Sequence, residues 1–416
     1  MTVSGMRLND TVICHIEKLV YGGDGLARID GRVIFIPGTV TDETVSARVT
    51  QLKPGFARAR LLDIIEPSAV RIDPCCRVTD RITGASSQVP GCVYDHLDYA
   101  AELLSKQQQF EGFLARLTHG ETTVVLSPFA SPTALHYRNK IVLHAVRDRR
   151  GTRLGYLQEP AHRILDIEAC PLACDAINGA LADLRDSGHL TTVPPEADIT
   201  FRHTLHDGAV WWVNRAPPPM PCADLLTESS PAGLLRVPRD GFYQVNPAVG
   251  DALVRTVAAW FAEAPEYAEL LDLYCGVGVF GFGCMAAGGS RLTGIESGRA
   301  AVAAANLNAA TLGVKATFHC HALGQANIPF ASLIRDPRHT TAIVDPPRDG
   351  MAPEITRALA ESGIARLFYV SCDPATLSRD LTALLPAGRY RLTRARLFDM
   401  FPRTAHFETL VELIRM

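Results

Sequence analysis

The sequence has no run of eighteen uncharged apolar residues, which excludes a hydrophobic spanning helix. Residues 1–10 lack the apolar core of an export signal, so a cytoplasmic protein with no membrane partner is expected. Charge of one sign is also missing, since 41 Lys plus Arg against 44 Asp plus Glu leave a net charge of −3. That excludes a protein binding polyanions over its whole surface, and any affinity for nucleic acid must reside in local patches. Lysine is scarce, with five residues against thirty-six arginines, so an arginine cluster can reflect composition and a solvated face as well as a ligand. No internal repeat and no low-complexity tract occurs, which excludes solenoids and bulk disorder.

What is present is a large apolar fraction, 47% of 416 residues, enough for two or three domains with cores of their own. Eleven Cys without an export signal read as thiols, metal ligands or catalytic groups rather than disulfides. Residues 11–66 hold short β-rich runs such as Thr11–Ile16, Arg32–Ile36 and Thr44–Val49. Turn chemistry at Tyr21-Gly-Gly-Asp-Gly25 and Ile36-Pro-Gly38 separates them. This pattern predicts a small barrel. The OB-fold is one nucleic-acid-binding form of it, and a β-module for packing or assembly fits the composition nearly as well. Residues 99–118 place Leu103, Leu104, Phe110, Phe113, Leu114 and Leu117 at helical spacing. From 251 onward helical and strand-like segments alternate, which predicts a parallel α/β sheet with ligands at the carboxyl ends of its strands. The expected division is 1–68, 69–250 and 251–416.

Three strand ends carry chemistry. Leu271-Asp-Leu-Tyr-Cys-Gly-Val-Gly-Val-Phe280 is an apolar strand entering a glycine turn, where backbone can approach a ligand closely. Glu296 ends the next strand about twenty residues on, where an acid accepts both hydrogen bonds of a ribose diol. The glycine motif is shorter than a dinucleotide fingerprint, which favours a nucleoside ligand such as S-adenosylmethionine over NAD. Ala342-Ile-Val-Asp-Pro-Pro-Arg348 ends a second strand in an acid followed by a stiff exit. Asp345 there also reads as a helix cap, although the glycine turn and Glu296 weigh against so plain a role. Phe368-Tyr-Val-Ser-Cys-Asp-Pro-Ala-Thr-Leu377 ends a third strand at Cys372. Most free Cys residues are small buried hydrophobes. A nucleophile becomes attractive through its company, the cofactor loop and Glu408 thirty-six residues later. Attack on C6 of a pyrimidine needs a thiolate, and that thiolate would need a lowered pKa, which nothing in the sequence measures.

These motifs in this order resemble the RNA uracil-C5 methyltransferase family. The matching elements are Phe242-Tyr-Gln-Val-Asn246, Asp272-Leu-Tyr-Cys-Gly-Val-Gly278, Asp345-Pro-Pro-Arg348, Ser371-Cys-Asp-Pro-Ala-Thr376 with Arg379-Asp380, and Asp399-Met-Phe-Pro-Arg-Thr-Ala-His-Phe-Glu408. Residues 11–72 resemble the TRAM domain, an OB-like RNA-binding module, and Gly91-Cys-Val-Tyr-Asp-His-Leu97 resembles the family's iron–sulfur segment. The resemblance covers nearly the whole chain. It implies an α/β protein with a C-terminal Rossmann-like class I methyltransferase domain, an N-terminal TRAM barrel, and a central α+β domain with an iron–sulfur site. Cys372 would be the nucleophile and Glu408 the general base. Gln244, Tyr274, Glu296 and Asp345 fall on the positions that bind S-adenosylmethionine. The family often has Asn where this chain has Val279, so one polar cofactor contact is expected to be missing. His406 shares a strand face with Glu408 if the stretch is extended, which would let it position the base; a surface His fits equally.

The resemblance also implies a [4Fe–4S] cluster on Cys75, Cys76, Cys92 and Cys170. Val89 stands where the family usually has a Cys, and adjacent residues rarely both reach one cluster, so a degenerate site is the alternative. Residues 136–163 hold seven Arg or Lys against two acids, interleaved with His136, Tyr137 and Tyr156. Arg138 and Lys140, in a family-like Tyr-Arg-Asn-Lys element, are expected to contact RNA phosphates. The expected protein is a monomeric RNA methyltransferase acting on uracil C5, on 23S rRNA by analogy with TRAM-bearing members or else on tRNA. The competing reading is a non-catalytic RNA-binding or RNA-folding factor with a vestigial site.

Overall fold

The structure is a computed structural model that describes residues 5–118, 123–149, 151–158, 163–214, 223–324, 333–385 and 389–416. Its N-terminal unit is a six-stranded sheet of β1 (Thr11–His15), β2 (Lys18–Leu19), β3 (Gly25–Ile29), β4 (Arg32–Ile36), β5 (Thr44–Leu52) and β6 (Phe56–Glu66), in the order β1-β5-β6-β4-β3-β2. Alternation builds its core: Val45, Ala47 and Val49 of β5 are buried, Val45 and Ala47 packing with Ile16, Ile34, Ile36, Ala57 and Ala59, and the residues between them are more exposed. The β2–β3 turn has Gly22 and Gly23 at φ +104° and +92°. A Cβ on Gly23 would lie 2.6 Å from the Val93 side chain, so glycine lets this turn press against the following segment.

Next come a hairpin of β7 (Arg77–Thr79) and β8 (Ser86–Gln88), helix α1 (Tyr99–Thr118) and the short β9 (Val124–Val125). A five-stranded antiparallel sheet follows, made of β10 (Lys140–Asp148), β11 (Gly151–Gln158), β12 (Arg163–Asp166), β13 (Ala197–Thr204) and β14 (Gly208–Val213). Helix α2 (Asp175–Asp186) buries Ile177, Leu181 and Leu184 on it. The hairpin β15 (Leu225–Ser230)–β16 (Gly233–Pro238) leads into α3 (Pro247–Ala262).

The C-terminal half alternates as expected: β17 (Glu269–Leu273), α4 (Val279–Ala286), β18 (Arg291–Glu296), α5 (Arg299–Leu312), β19 (Ala316–Cys320), β20 (Thr340–Val344), α6 (Pro353–Glu361), β21 (Arg366–Ser371), α7 (Pro374–Leu384), β22 (Tyr390–Phe398) and β23 (Glu408–Arg415). The sheet runs β19-β18-β17-β20-β21-β23-β22-β9. Strands β17 to β21 are parallel, and β23 inserts antiparallel beside β21. Every residue of β20 and β21 is buried, as the apolar runs require of central strands covered on both faces. The chain order reverses between β17 and β20, which opens a crevice at their carboxyl ends. Helix α1 buries Phe110 and Leu114 in the core of this sheet, and β9 pairs with its edge strand β22, although both lie well before residue 251. The described cysteines are all free, and among the described residues no helix is long and apolar enough to cross a membrane.

Candidate active site

Register decides which side chains meet in the crevice. Leu273 pairs with both Ile295 and Val344, so Tyr274, Glu296 and Asp345 leave three adjacent strands together. Glu296 is held by backbone: its Oε2 accepts the Gly276 N–H at 3.1 Å, and its Oε1 accepts the Gly298 N–H at 2.7 Å and the Ser297 hydroxyl at 3.0 Å. It lines a cavity of about 510 Å³ with Gly276, Val277, Gly298, Ala300 and Ala301, closed on the far side by Pro238–Phe242. Phe242 is 69% exposed there. Sequence reasoning quoted it within a motif but gave it no role; its lone aromatic ring before a buried Tyr-Gln pair was the available signal.

Two more acids lie beneath the turn. Asp272 is fully buried; its Oδ2 accepts the Gly281 N–H at 3.1 Å and its Oδ1 has no partner. Burial pushes Asp272 up to about 8 and Asp345 up to about 7. Carboxyls in such surroundings favour a cationic neighbour. Gln244 is buried against Gly250, where a Cβ would lie 2.7 Å from the Gln244 Cβ. Tyr274 adopts φ +61°, and its ring joins the core around Leu271, Leu273 and Met351 with its hydroxyl near the Ala352 backbone. Its side chain does not line the cavity with Glu296; its backbone shapes the turn.

Cys372 and Glu408 come together because β21 and β23 pair antiparallel. Ser371, the last residue of β21, pairs with Thr409, and the Thr409 hydroxyl donates to the Ser371 carbonyl at 3.1 Å. The residue after Ser371 therefore stands beside the first residue of β23, which is Glu408. The half-buried Cys372 thiol is pushed up to about 12, first by burial and then by Glu408, Asp345 and Asp373, with Arg348 opposing. The lowered pKa that the chemistry would need is not present in the free protein, because Glu408, Asp345 and Asp373 all bear on the thiol. Burial and then Asp345 likewise raise the Glu408 carboxyl well above the usual range, against Arg348, and its Oε2 has no partner. Arg348 was quoted within a motif but assigned no role. It is the cation that bears on both groups.

A buried ionic knot fixes the loop before Glu408. Lys106 of α1 donates to Glu102 at 2.7 Å, to Asp399 at 2.8 Å and to the Phe401 carbonyl at 3.2 Å. Tyr99 donates to the other Asp399 oxygen at 2.8 Å, and the Arg403 side chain reaches the Leu97 carbonyl at 2.6 Å. Lys106, Glu102 and Asp399 are all fully buried, so each charge depends on its partners.

The chain is similar to known proteins over nearly its whole length. A family described as tRNA (Uracil-5-)-methyltransferase matches residues 232–416, and the TRAM domain matches 10–62. The 23S rRNA (uracil(1939)-C(5))-methyltransferase RlmD of Acidithiobacillus ferrooxidans is 32% identical over 439 residues, covering 95% of each chain. The chain belongs to the RNA uracil-C5 methyltransferase family. An uncharacterized RNA methyltransferase of Thermosynechococcus vestitus is 28% identical over 453 residues, covering 97% of this chain and 98% of its own. The fold matches the tRNA (uracil-54, C5)-methyltransferase of Pyrococcus abyssi, solved with S-adenosyl-L-homocysteine. Its TM-score is 0.70 at 22% identity, over 97% of this chain and 99% of that one.

The thiolate cluster implied by the family resemblance does not fit. Among the described residues no group of three or more His, Cys, Asp or Glu side chains is arranged to hold a metal ion. Cys76 and Cys92 are buried and share a hydrogen bond, while the Cys170 sulfur accepts one from Tyr156 at 3.2 Å. Cys75 is half-exposed while its neighbour Cys76 is buried. Val89, where a further Cys was wanted, is 3% exposed and packs in the same apolar core as Cys76, Cys92 and Cys170. With Val89 in that core and no such group among the described residues, the expected iron–sulfur site on these four residues is not supported.

Arg138 and Lys140 are not a solvated face. Lys140 is half-buried with its Nζ 3.5 Å from the Gly241 carbonyl, and burial with Arg202 nearby lowers its pKa. Arg138 is half-buried, its Nε lacks a partner, and its charge reaches His406. Both face inward, toward the loops that carry Phe242 and Glu408.

Proposed function

We propose that this enzyme transfers the methyl group of S-adenosylmethionine to C5 of a uridine in 23S rRNA, with tRNA as the second candidate. The observation that carries the reading is the meeting of Cys372 and Glu408 at one end of the β21–β23 pair, beside the crevice lined by Glu296 and Asp345. The residues suit the cofactor: Glu296 keeps free lone pairs toward a cavity of nucleoside size, and Asp345 and Asp272 gain from a neighbouring cation. When bound, S-adenosylmethionine supplies an electrophilic methyl group. Phe242 offers a face on which the target base stacks.

Cys372, as thiolate, adds to C6 of the uracil, and the electron pair of the C5–C6 double bond moves onto C5 and the O4 carbonyl. The enolate carbon then takes the methyl group, and the electron pair of the broken S–CH3 bond would stay on sulfur, leaving neutral S-adenosylhomocysteine. Glu408 removes the remaining proton from C5, the C5–C6 double bond re-forms, and the Cys372 sulfur departs. Burial suits Glu408 to this step, because a carboxylate of raised pKa is a stronger base. Arg348 stabilises both the thiolate and the carboxylate. Arg138 and Lys140 contact RNA at the mouth of the crevice. The convergence of Cys372, Glu408 and Arg348 favours an enzyme over a vestigial RNA-binding factor. The test is transfer of labelled methyl from S-adenosylmethionine to 23S rRNA and to bulk tRNA, followed by digestion to nucleosides. The label is expected in 5-methyluridine from 23S rRNA. No label, or label in another nucleoside, contradicts the reaction, and label from tRNA alone contradicts the substrate.

A further inference from the structure

The turn between β2 and β3 inserts a barrel side chain into the catalytic crevice. Tyr21 stacks edge-on against Phe113 of α1 and against Phe407, each at a centroid distance of 5.9 Å. Its hydroxyl lies 3.3 Å from Asp373 Oδ2 and 3.5 Å from His406 Nδ1. Asp373 directly follows Cys372, and His406 comes two residues before Glu408. One residue of the N-terminal unit therefore touches both segments that bring nucleophile and base together. The sequence showed Tyr21 only as part of a glycine turn.

The hydrogen-bond directions follow from the chemistry. Burial and the Asp373 carboxylate keep the Tyr21 hydroxyl protonated, so it donates to Oδ2. The other Asp373 oxygen is committed to α7, accepting the Ala375 and Thr376 N–H groups at 2.9 Å each. Burial and then Arg348 hold His406 neutral. With the Tyr21 proton used on Asp373, the tautomer with hydrogen on Nδ1 completes the chain by donating to the Tyr21 oxygen.

We propose that Tyr21 is a positioning residue for methyl transfer: from the barrel it fixes the Cys372–Asp373 turn against the His406–Glu408 segment, so that the barrel and the reacting pair form one rigid unit. Its functional consequence rests on the Cys372–Glu408 reading above, but the contact bears on Cys372 whatever the reaction. Around that thiol stand Glu408, Asp345 and Asp373 as carboxylates, Arg348 as the cation, and Tyr21 as the donor that screens Asp373.

Tyr21→Phe removes the hydroxyl and keeps both ring contacts, so the barrel stays docked. The first measurement needs no RNA. It follows alkylation of Cys372 by iodoacetamide across alkaline pH, read at that residue by mass spectrometry. With Asp373 unscreened, the Tyr21→Phe profile moves to higher pH, and the rate at fixed pH falls about threefold, half a pKa unit. The second is turnover: kcat falls about tenfold, while the melting temperature and KM for S-adenosylmethionine stay at wild-type values. In an Asp373→Asn background, which keeps the helix cap, Tyr21→Phe adds no further loss. A wild-type alkylation profile and wild-type kcat in Tyr21→Phe overturn the proposal, as does an additive double variant. If Tyr21→Phe shifts alkylation but Cys372→Ala still methylates RNA, positioning stands and the Cys372 mechanism falls.

Discussion

Cys372 is surrounded by charges that work against its ionisation, with Glu408, Asp345 and Asp373 on one side of the balance and Arg348 on the other. Cys372 was legible in the sequence as a candidate nucleophile because its Ser-Cys-Asp-Pro element matches the family's motif. Its electrostatics were not, because Glu408 and Asp345 come from other strand ends and only the register brings them beside the Cys372–Asp373 turn. The folded thiol ionises at about 12 against an ordinary value of 9.0, so little thiolate exists at neutral pH in the free protein. In the proposed cofactor site, a bound sulfonium would add positive charge near Asp345. S-adenosylmethionine is therefore expected to speed Cys372 alkylation near pH 8, and Arg348→Gln to slow it about tenfold, one pKa unit. An Arg348→Gln rate equal to wild type in the same mass-spectrometric assay would remove Arg348 from the site.

At the level of elements, the parallel alternation after residue 251 and the β-rich N-terminus were readable from period and turn chemistry. The partners of α1 and β9 were not. Helical spacing shows that Phe110 and Leu114 are buried, not that they pack on a sheet formed from residue 269 onward. That helix also holds the loop before Glu408 through Lys106. Lys106→Met leaves Asp399 buried without its cation and Glu102 with Arg403 alone, at 3.4 Å, a loss of about 3–5 kcal/mol. A large fall in the thermal midpoint is expected, partly recovered in the triple variant that also carries Glu102→Gln and Asp399→Asn; a wild-type midpoint for the single variant excludes the knot as a stabiliser. The strand-end acids give a pH test. Their carboxyls, raised to about 7 and about 8, bind a cation best when ionised. Affinity for S-adenosylmethionine should rise with pH through that interval and level off above it, with proton uptake or release visible by calorimetry in buffers of different ionisation enthalpy. A flat affinity profile from about pH 6 to about 9 would show that neither carboxyl senses the ligand.

Across the whole molecule, a net charge of −3 leaves RNA recognition to local cations set within a crevice. The sequence placed Arg138 and Lys140 in its densest basic stretch, and the structure turns both inward, beside the loops of Phe242 and His406. The cysteine cluster was read less well. The family resemblance implied a metal cluster, and the structure instead packs Val89 with Cys76, Cys92 and Cys170 in one apolar core, where Cys76 and Cys92 share a hydrogen bond. Neutralising Arg138 and Lys140 together should lower the slope of log affinity against log salt by about 1.4, at about 0.7 per phosphate for single-stranded RNA. An unchanged slope would assign them to bases or to structure.

The most direct measurement separates the two steps at C5 and C6. Glu408→Gln, incubated with RNA and S-adenosylmethionine, keeps the side-chain size but lacks the base. Addition and methylation proceed, the C5 proton stays, and a denaturant-resistant adduct of protein and methylated RNA accumulates. The adduct should be absent when Cys372→Ala is added. Turnover by Glu408→Gln at the wild-type rate without an adduct would contradict the assignment of Glu408 as base, and an adduct that survives Cys372→Ala would contradict Cys372 as nucleophile.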